Sequence, residues 1–340
     1  MNKGMKVLSG VLLAGFIAIP LFAEGSKETP SAAAPAAKAE ELKVAILLPS
    51  SPTDGGWGQQ GANGIKNAAN IYKFTPAIVE AATADLMKRE SESLCQEGYQ
   101  LIFGHGGQYA TPFSEIRSLY PKTYFITAGG KLTGDNQIMA EYVVEQLSYI
   151  QGVMAAKLTK TQKLGLVVGG SFPAYTKTSR GFTLGAKSVN PKIEVMFAIT
   201  QNASDINEGY ELTLSQIKAG ADVVWSNANR ASQGCIKAAR ETNTLVFGMV
   251  ADQQKEAPEQ MIASIVQDYN ILYTEVIQRY LNKTIKGGVI KLGVPEKGII
   301  WVWNEKVKAR LPADVVKLYD ELQPKTQSGE IYVPSENEGW

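Results

Sequence analysis

Apolar and polar positions along the chain fall into two blocks, each reading as strand, helix, strand, helix. In the first block residues 42–49 (LKVAILLP) form an almost unbroken apolar run, and a helical pattern follows over 58–71. A strand at 76–80, a helix at 85–97, a strand at 101–104, a helix at 112–119 and a strand at 124–127 continue it. Strands that are apolar throughout, rather than at every second position, predict a parallel sheet covered by helices on both faces. Over 145–158, Leu147, Ile150, Met154 and Leu158 recur at intervals of three and four, the apolar stripe of a helix. The rhythm then restarts, with strands at 164–168, 193–199, 223–225 and 245–250 and helices at 176–189, 208–219 and 233–242. Further strands are expected at 262–266, 289–292 and 299–303, with a helix at 270–281. Two such blocks predict two doubly wound α/β lobes, whose ligands sit beyond the carboxyl ends of the strands.

The start of the chain stands outside this pattern. Lys3 and Lys6 precede an apolar run over 8–22, and Ala23 offers a small residue ahead of polar Glu24. This predicts a secretory signal peptide over 1–23, its run shorter than the ~20 residues of a spanning helix. No cysteine follows it, so the protein is expected to be exported, in the periplasm or cell envelope, without a lipobox cysteine. Residues 24–41, rich in Ala, Pro, Ser and Lys, read as a flexible linker. Lobe one is then expected over 42–150 and lobe two over 151–258. Residues 259–340 supply crossover segments returning between the lobes and C-terminal helices.

Composition narrows the chemistry. With 34 Lys and Arg against 33 Asp and Glu, the formal charge is +1, which gives no electrostatic reason to bind nucleic acid. His105 is the single histidine, so a multi-histidine metal centre is excluded, and Cys95 and Cys235 are too few for a Cys-rich zinc site or a disulfide framework. They are expected as unpaired buried thiols. Neither a metal nor a cofactor is expected. No GxSxG, HExxH or Walker A motif is present. Nothing positive supports an enzyme, although carboxylates suffice in number for a two-acid hydrolase.

Residues 151–195 (QGVMAAKLTKTQKLGLVVGGSFPAYTKTSRGFTLGAKSVNPKIEV) resemble the basic membrane protein family of ABC-transporter receptors, which includes the PnrA-like purine nucleoside receptors. Asp54-Gly55-Gly56-Trp57 is similar to their first ligand loop. Gly220-Ala221-Asp222-Val223-Val224 and Phe247-Gly248-Met249-Val250-Ala251-Asp252-Gln253 resemble their later strands and loops. The resemblance runs in order over 42–305 and implies the type I periplasmic binding protein fold, two lobes joined by a hinge. It implies a non-enzymatic, extracytoplasmic receptor that captures a nucleoside-like molecule and delivers it to a membrane permease. It further implies that Trp57 stacks on the base and Asp252 binds ribose hydroxyls. Three positions depart from that family: Gly58 stands in place of Asn, Ala203 in place of a second stacking Phe, and Gln267 in place of Lys. Those departures make riboflavin an alternative ligand to a purine nucleoside. A surface protein binding host or matrix macromolecules is the alternative from another class.

Other candidates come from the residues themselves. Trp57 follows a Gly-Gly turn and precedes a helix, where a flat indole face can meet a ring; Asp54 is placed to cap that helix. Tyr109, after Gly106-Gly107, is a candidate replacement stacker, with His105 more often structural in such a place. Phe172 and Tyr175 follow a strand in lobe two and are expected to face the cleft. Trp225 and Asn227 end another strand, an indole beside an amide suited to a ring edge. Asp252 ends an apolar strand, where an unpaired buried carboxylate is costly and ribose hydroxyls would satisfy it. Gln267 completes the candidate site. Trp301 and Trp303 alternate on a late strand and are expected to pack under the crossover.

Overall fold

The computed structural model describes residues 41–54 and 56–335. The expected signal peptide and all but the last residue of the expected linker lie outside the described residues. Along the chain run β1 (Val44–Leu48), α1 (Trp57–Tyr72), β2 (Ala77–Glu80), α2 (Ala84–Gln96), β3 (Leu101–Gly104), α3 (Ala110–Ile116), β4 (Tyr124–Ala128), β5 (Gln137–Tyr142) and α4 (Glu145–Leu158). Then come β6 (Lys163–Val168), α5 (Pro173–Val189), β7 (Glu194–Ile199), α6 (Ile206–Lys218), β8 (Val223–Asn227), α7 (Ala231–Glu241) and β9 (Leu245–Val250). The last elements are β10 (Met261–Gln267), α8 (Tyr269–Leu281), β11 (Gly288–Leu292), β12 (Ile299–Trp303), α9 (Glu305–Lys308) and α10 (Ala313–Ser328).

They build two six-stranded sheets, ordered β11-β5-β4-β3-β1-β2 and β12-β10-β9-β8-β6-β7. The first is wholly parallel; in the second only β12 runs antiparallel, against β10. This is the doubly wound two-lobe architecture that the apolar pattern predicts. The run VAILL of β1 is buried at every position because helices cover both faces of its sheet. Each such large side chain contributes about 1.5–3 kcal/mol relative to exposure. Strand β5 has no counterpart among the expected elements. Its sequence QIMAEY carries polar Gln137 and Glu141, and tertiary contacts select the strand: Gln137 is buried and donates from Nε2 to Ala110 O at 2.9 Å.

The chain passes between the sheets three times: from β5 to α4, from β10 to α8 and from β11 to β12. After the first passage α4 packs on α5. Gly152 and Gly185 let those helices approach until backbone meets backbone: a Cβ on Gly152 would strike Phe182 O, and one on Gly185 would strike Tyr149 O. After the second passage α8 leaves the sheet of lobe two and packs on α1 of lobe one. There the Tyr273 ring occupies the space a side chain at Gly64 would need, and Tyr72 Oη donates to Thr274 O at 3.1 Å. Cys95 and Cys235 are both free, Cys235 buried and Cys95 partly so. Trp301 is buried against Phe247, Trp303 and Tyr319. Among the described residues, no helix is long and apolar enough to cross a membrane, and no group of three His, Cys, Asp or Glu is placed to hold a metal ion.

Candidate functional site

In lobe one the site begins at the entry to α1. Helix N-termini leave backbone N–H groups without partners, and here Asp54 supplies the acceptors. Gly56 and Gln59 donate their N–H groups to its Oδ1 at 2.8 and 3.0 Å, and Gly58 donates to Oδ2 at 3.2 Å. Ser50 Oγ donates to Oδ2 at 2.7 Å. Partial burial pushes this carboxyl up, but the Ser50 hydroxyl and the three N–H groups outweigh it and hold it below the ordinary Asp value. Asp54 therefore fixes the first turn, as its spacing predicts.

That turn presents Trp57, which is half-buried. Its indole stacks on His105 with ring centroids 4.0 Å apart and planes 20° from parallel, and Nε1 donates to His105 O at 2.8 Å. The edge of Tyr269, the first residue of α8, meets the indole at 5.0 Å and 89°. Tyr142, at the end of β5, lies 4.9 Å from Tyr269. Beneath them His105 Nδ1 and Tyr273 Oη share a hydrogen bond of 2.8 Å. Burial lowers the His105 pKa to about 3, so the ring under Trp57 is uncharged at physiological pH. Its Nε2 is buried without a hydrogen-bond partner. Four elements far apart in sequence thus meet at the carboxyl end of the first sheet.

The facing rim of lobe two is built around the entry to α5. Phe172 is 66% exposed and precedes Pro173, the first residue of that helix. Tyr175 lies 6.4 Å from it. Asn227 Nδ2 donates to Thr178 Oγ1 at 3.1 Å and to Ala174 O at 3.3 Å, tying the end of β8 to the start of α5. The two lobes meet at the mouth of the cleft: a Cβ on Gly56 would lie 3.4 Å from Asn229 Oδ1 and 3.9 Å from Arg230 Cγ.

At the first crossover the two lobes share a buried ion cluster. Lys177 Nζ, on α5, donates to Glu141 Oε1 at 3.0 Å and to Tyr142 O at 2.8 Å. It lies 3.3 Å from Glu145 Oε2, which is out of line for a hydrogen bond. Burial pushes the Glu145 carboxyl above the ordinary value, and the Lys177 ammonium only partly offsets that.

Three expected site residues lie elsewhere. Tyr109 is fully buried among Phe113 and its neighbours, and its hydroxyl donates to Ala81 O at 2.9 Å; its ring is core rather than a stacking face. Trp225 is likewise core: it packs on Phe182, and its Nε1 donates to Gln151 Oε1 at 2.7 Å. Asp252 is exposed, its Oδ1 accepting the N–H of Gln254 at 3.1 Å, so the burial argument for it does not hold. The chain turns out of the sheet two residues earlier, at Val250, whose φ of 73° is unusual for a β-branched residue. Gln267 is half-buried at the second crossover, with its Oε1 accepting from Tyr269 Oη at 3.3 Å. Sequence reasoning missed Tyr269, Tyr273 and Lys177. Tyr269 had a signal, since the first helical residue after a strand end is a rim position; Lys177 reads as an ordinary helix lysine. Surface hollows of about 400 and 260 Å³, beside α9–α10 and beside Trp301, lie away from both rims.

The family described as PnrA-like ABC transporter substrate-binding proteins matches residues 41–337. The chain is 27% identical to a purine-binding protein of Brucella abortus, over 87% of this chain and 84% of that one. It is 26% identical to the transcriptional activator protein Med of Bacillus subtilis, over 82% of this chain and 88% of the relative. In shape it is similar to an ABC transporter solute-binding protein of Aeropyrum pernix, with a TM-score of 0.75 at 19% identity, covering 87% and 95% of the two chains. The fold is the type I arrangement of periplasmic solute-binding proteins.

Proposed function

We propose, since the chain belongs to the family of PnrA-like ABC-transporter substrate-binding proteins, that it captures a purine nucleoside between its lobes and delivers it to a membrane permease. The family role is extracytoplasmic binding and release, not catalysis. The observation that carries the ligand class is the aromatic platform of Trp57 on neutral His105, edged by Tyr269. A platform without a charged group in its stack suits an uncharged planar ring, and stacking adds about 0.5–1.5 kcal/mol beyond area burial. The purine-binding relative in Brucella abortus supports the same class. Phe172 forms the exposed lip of the opposite rim, and Gln267 offers an amide group to the ring edge or sugar; Asn227, buried with its Nδ2 spent on Thr178 and Ala174, holds that rim in place instead of meeting the ligand. Asp252, already exposed, meets the sugar hydroxyls without a prior burial cost. Gly56 already lies against Asn229 and Arg230, and this joined mouth, held shut around the ligand, is the surface a permease reads.

Titration calorimetry of the purified protein with inosine, guanosine, adenosine and riboflavin tests this reading. The expected result is one-to-one binding of at least one purine nucleoside with a negative heat-capacity change, the mark of buried apolar surface. Heat from riboflavin alone would move the assignment to a flavin, and silence from all four would overturn it.

A further inference from the structure

Gly169, just after β6, and Ala203, between β7 and α6, are two small residues at the carboxyl end of the second sheet, where open α/β sheets take their ligands. A Cβ built on Gly169 would fall 2.9 Å from Tyr175 Cζ, 3.0 Å from Tyr175 Oη and 3.0 Å from Ala203 Cβ. The tip of the Tyr175 ring therefore fills the room these residues leave, and a methyl group at Gly169 would displace it. Phe172 continues the same surface outward, 6.4 Å from Tyr175 at 53°. Aromatic rings thus line both rims: Trp57 with Tyr269 where the second crossover meets lobe one, and Tyr175 with Phe172 in lobe two.

We propose that Tyr175 is the ring-binding aromatic of lobe two, closing on a planar ligand from the side opposite Trp57, and that Gly169 and Ala203 determine specificity by giving its ring that seat. Tyr175 is supplied by the helix that also carries Lys177 and is anchored to β8 by Asn227, so its position follows the movement of lobe two as a whole. A phenol rather than a phenyl also brings a hydroxyl to this wall, which selects a ring with a polar edge. The inference rests on the nucleoside reading for its ligand class, but not for its geometry.

The test compares wild type, Tyr175→Phe, Tyr175→Ala, Gly169→Ala and Tyr175→Ala/Ala203→Phe by calorimetry against inosine, guanosine, adenosine, riboflavin and tryptophan. Tyr175→Ala should weaken binding about tenfold or more, and Tyr175→Phe by a smaller factor. Gly169→Ala should weaken binding while Tyr175 itself is untouched. A ring restored at 203 in the double variant should recover part of the affinity, which a variant that had merely lost its fold could not do. Nucleoside binding by Tyr175→Ala equal to wild type overturns this inference and leaves the nucleoside reading intact. If wild type binds only riboflavin or tryptophan and Tyr175→Ala loses it, the nucleoside reading fails while the inference holds. Binding of no compound by wild type overturns both.

Discussion

Replacing Lys177 by Met tests the energetics of the first crossover. Methionine keeps an unbranched stem of similar reach and removes only the ammonium. The ammonium serves Glu141 Oε1 at 3.0 Å, Tyr142 O at 2.8 Å and Glu145 Oε2 at 3.3 Å, so its loss strands two carboxylates. The side chains of Lys177, Glu141 and Glu145 are 9%, 16% and 2% exposed, which leaves little water to take over the screening. Removing one partner of a buried pair costs about 3–5 kcal/mol. For a chain of this size that is a fall in Tm of roughly 5–8 °C at pH 8.

The pH dependence separates this cause from simple loss of packing. In the folded protein the Glu145 carboxyl already sits above its ordinary value, because burial outweighs the attraction of Lys177. Without that cation it rises further. A carboxyl whose folded pKa exceeds the unfolded one binds its proton more tightly in the folded state, so stability falls as pH rises through the folded pKa and recovers as pH falls through it. The deficit of Lys177→Met should accordingly be largest at pH 8 and smaller at pH 5, and Glu145→Gln added to it should restore part of the loss. Urea denaturation of the three proteins at both pH values measures this. A Lys177→Met protein that melts with wild type at pH 8, or a deficit that does not shrink at pH 5, would refute the reasoning.

Trp57→Ala removes the stacking face and the Nε1–His105 O bond; nucleoside affinity should fall at least about tenfold while Tm moves by only a few degrees, since the indole is half-buried. Asp54→Ala uncaps α1 and should cost about 0.5–2 kcal/mol by urea denaturation. Because the folded Asp54 pKa is depressed, its contribution is present above the unfolded value and disappears as pH falls through the folded one, so the two proteins should converge in acid. Burial raises the thiols of Cys95 and Cys235 to about 11 each, so both should resist a thiol-reactive dye at pH 7.5 until denaturant is added. Rapid labelling of the native protein would show that one of them is open to solvent.

The fold was legible wherever local pattern and tertiary context agree. An apolar run such as VAILL has no soluble alternative to a strand covered on both faces, and two blocks of strand and helix leave few arrangements besides two wound lobes. Strand β5 was hidden because Gln137 and Glu141 look like surface residues. The Gln137 amide N–H reaches Ala110 O inside the lobe and Glu141 accepts from Lys177, and both partners are supplied by other elements. The same division runs through the site. Trp57 and Asp54 were readable because a turn, a cap and a helix start lie within a few residues. The strand itself is read at its observed bounds, but Asp252 lies two residues beyond it, where the backbone has already turned outward at Val250, so the burial of the strand does not reach its carboxylate. Tyr269 and Tyr273 had no local signature of contact with Trp57 and His105. They reach them only because α8, after leaving the sheet of lobe two, crosses back to pack on α1, where Gly64 makes room for Tyr273. A cleft between two lobes is assembled by crossovers, so its floor comes from residues whose nearness is topological. Periodicity predicts the elements that carry such residues. It does not predict which of their side chains meet, and here that meeting decides whether an aromatic side chain is core, like Tyr109, or a wall of the cleft, like Tyr175.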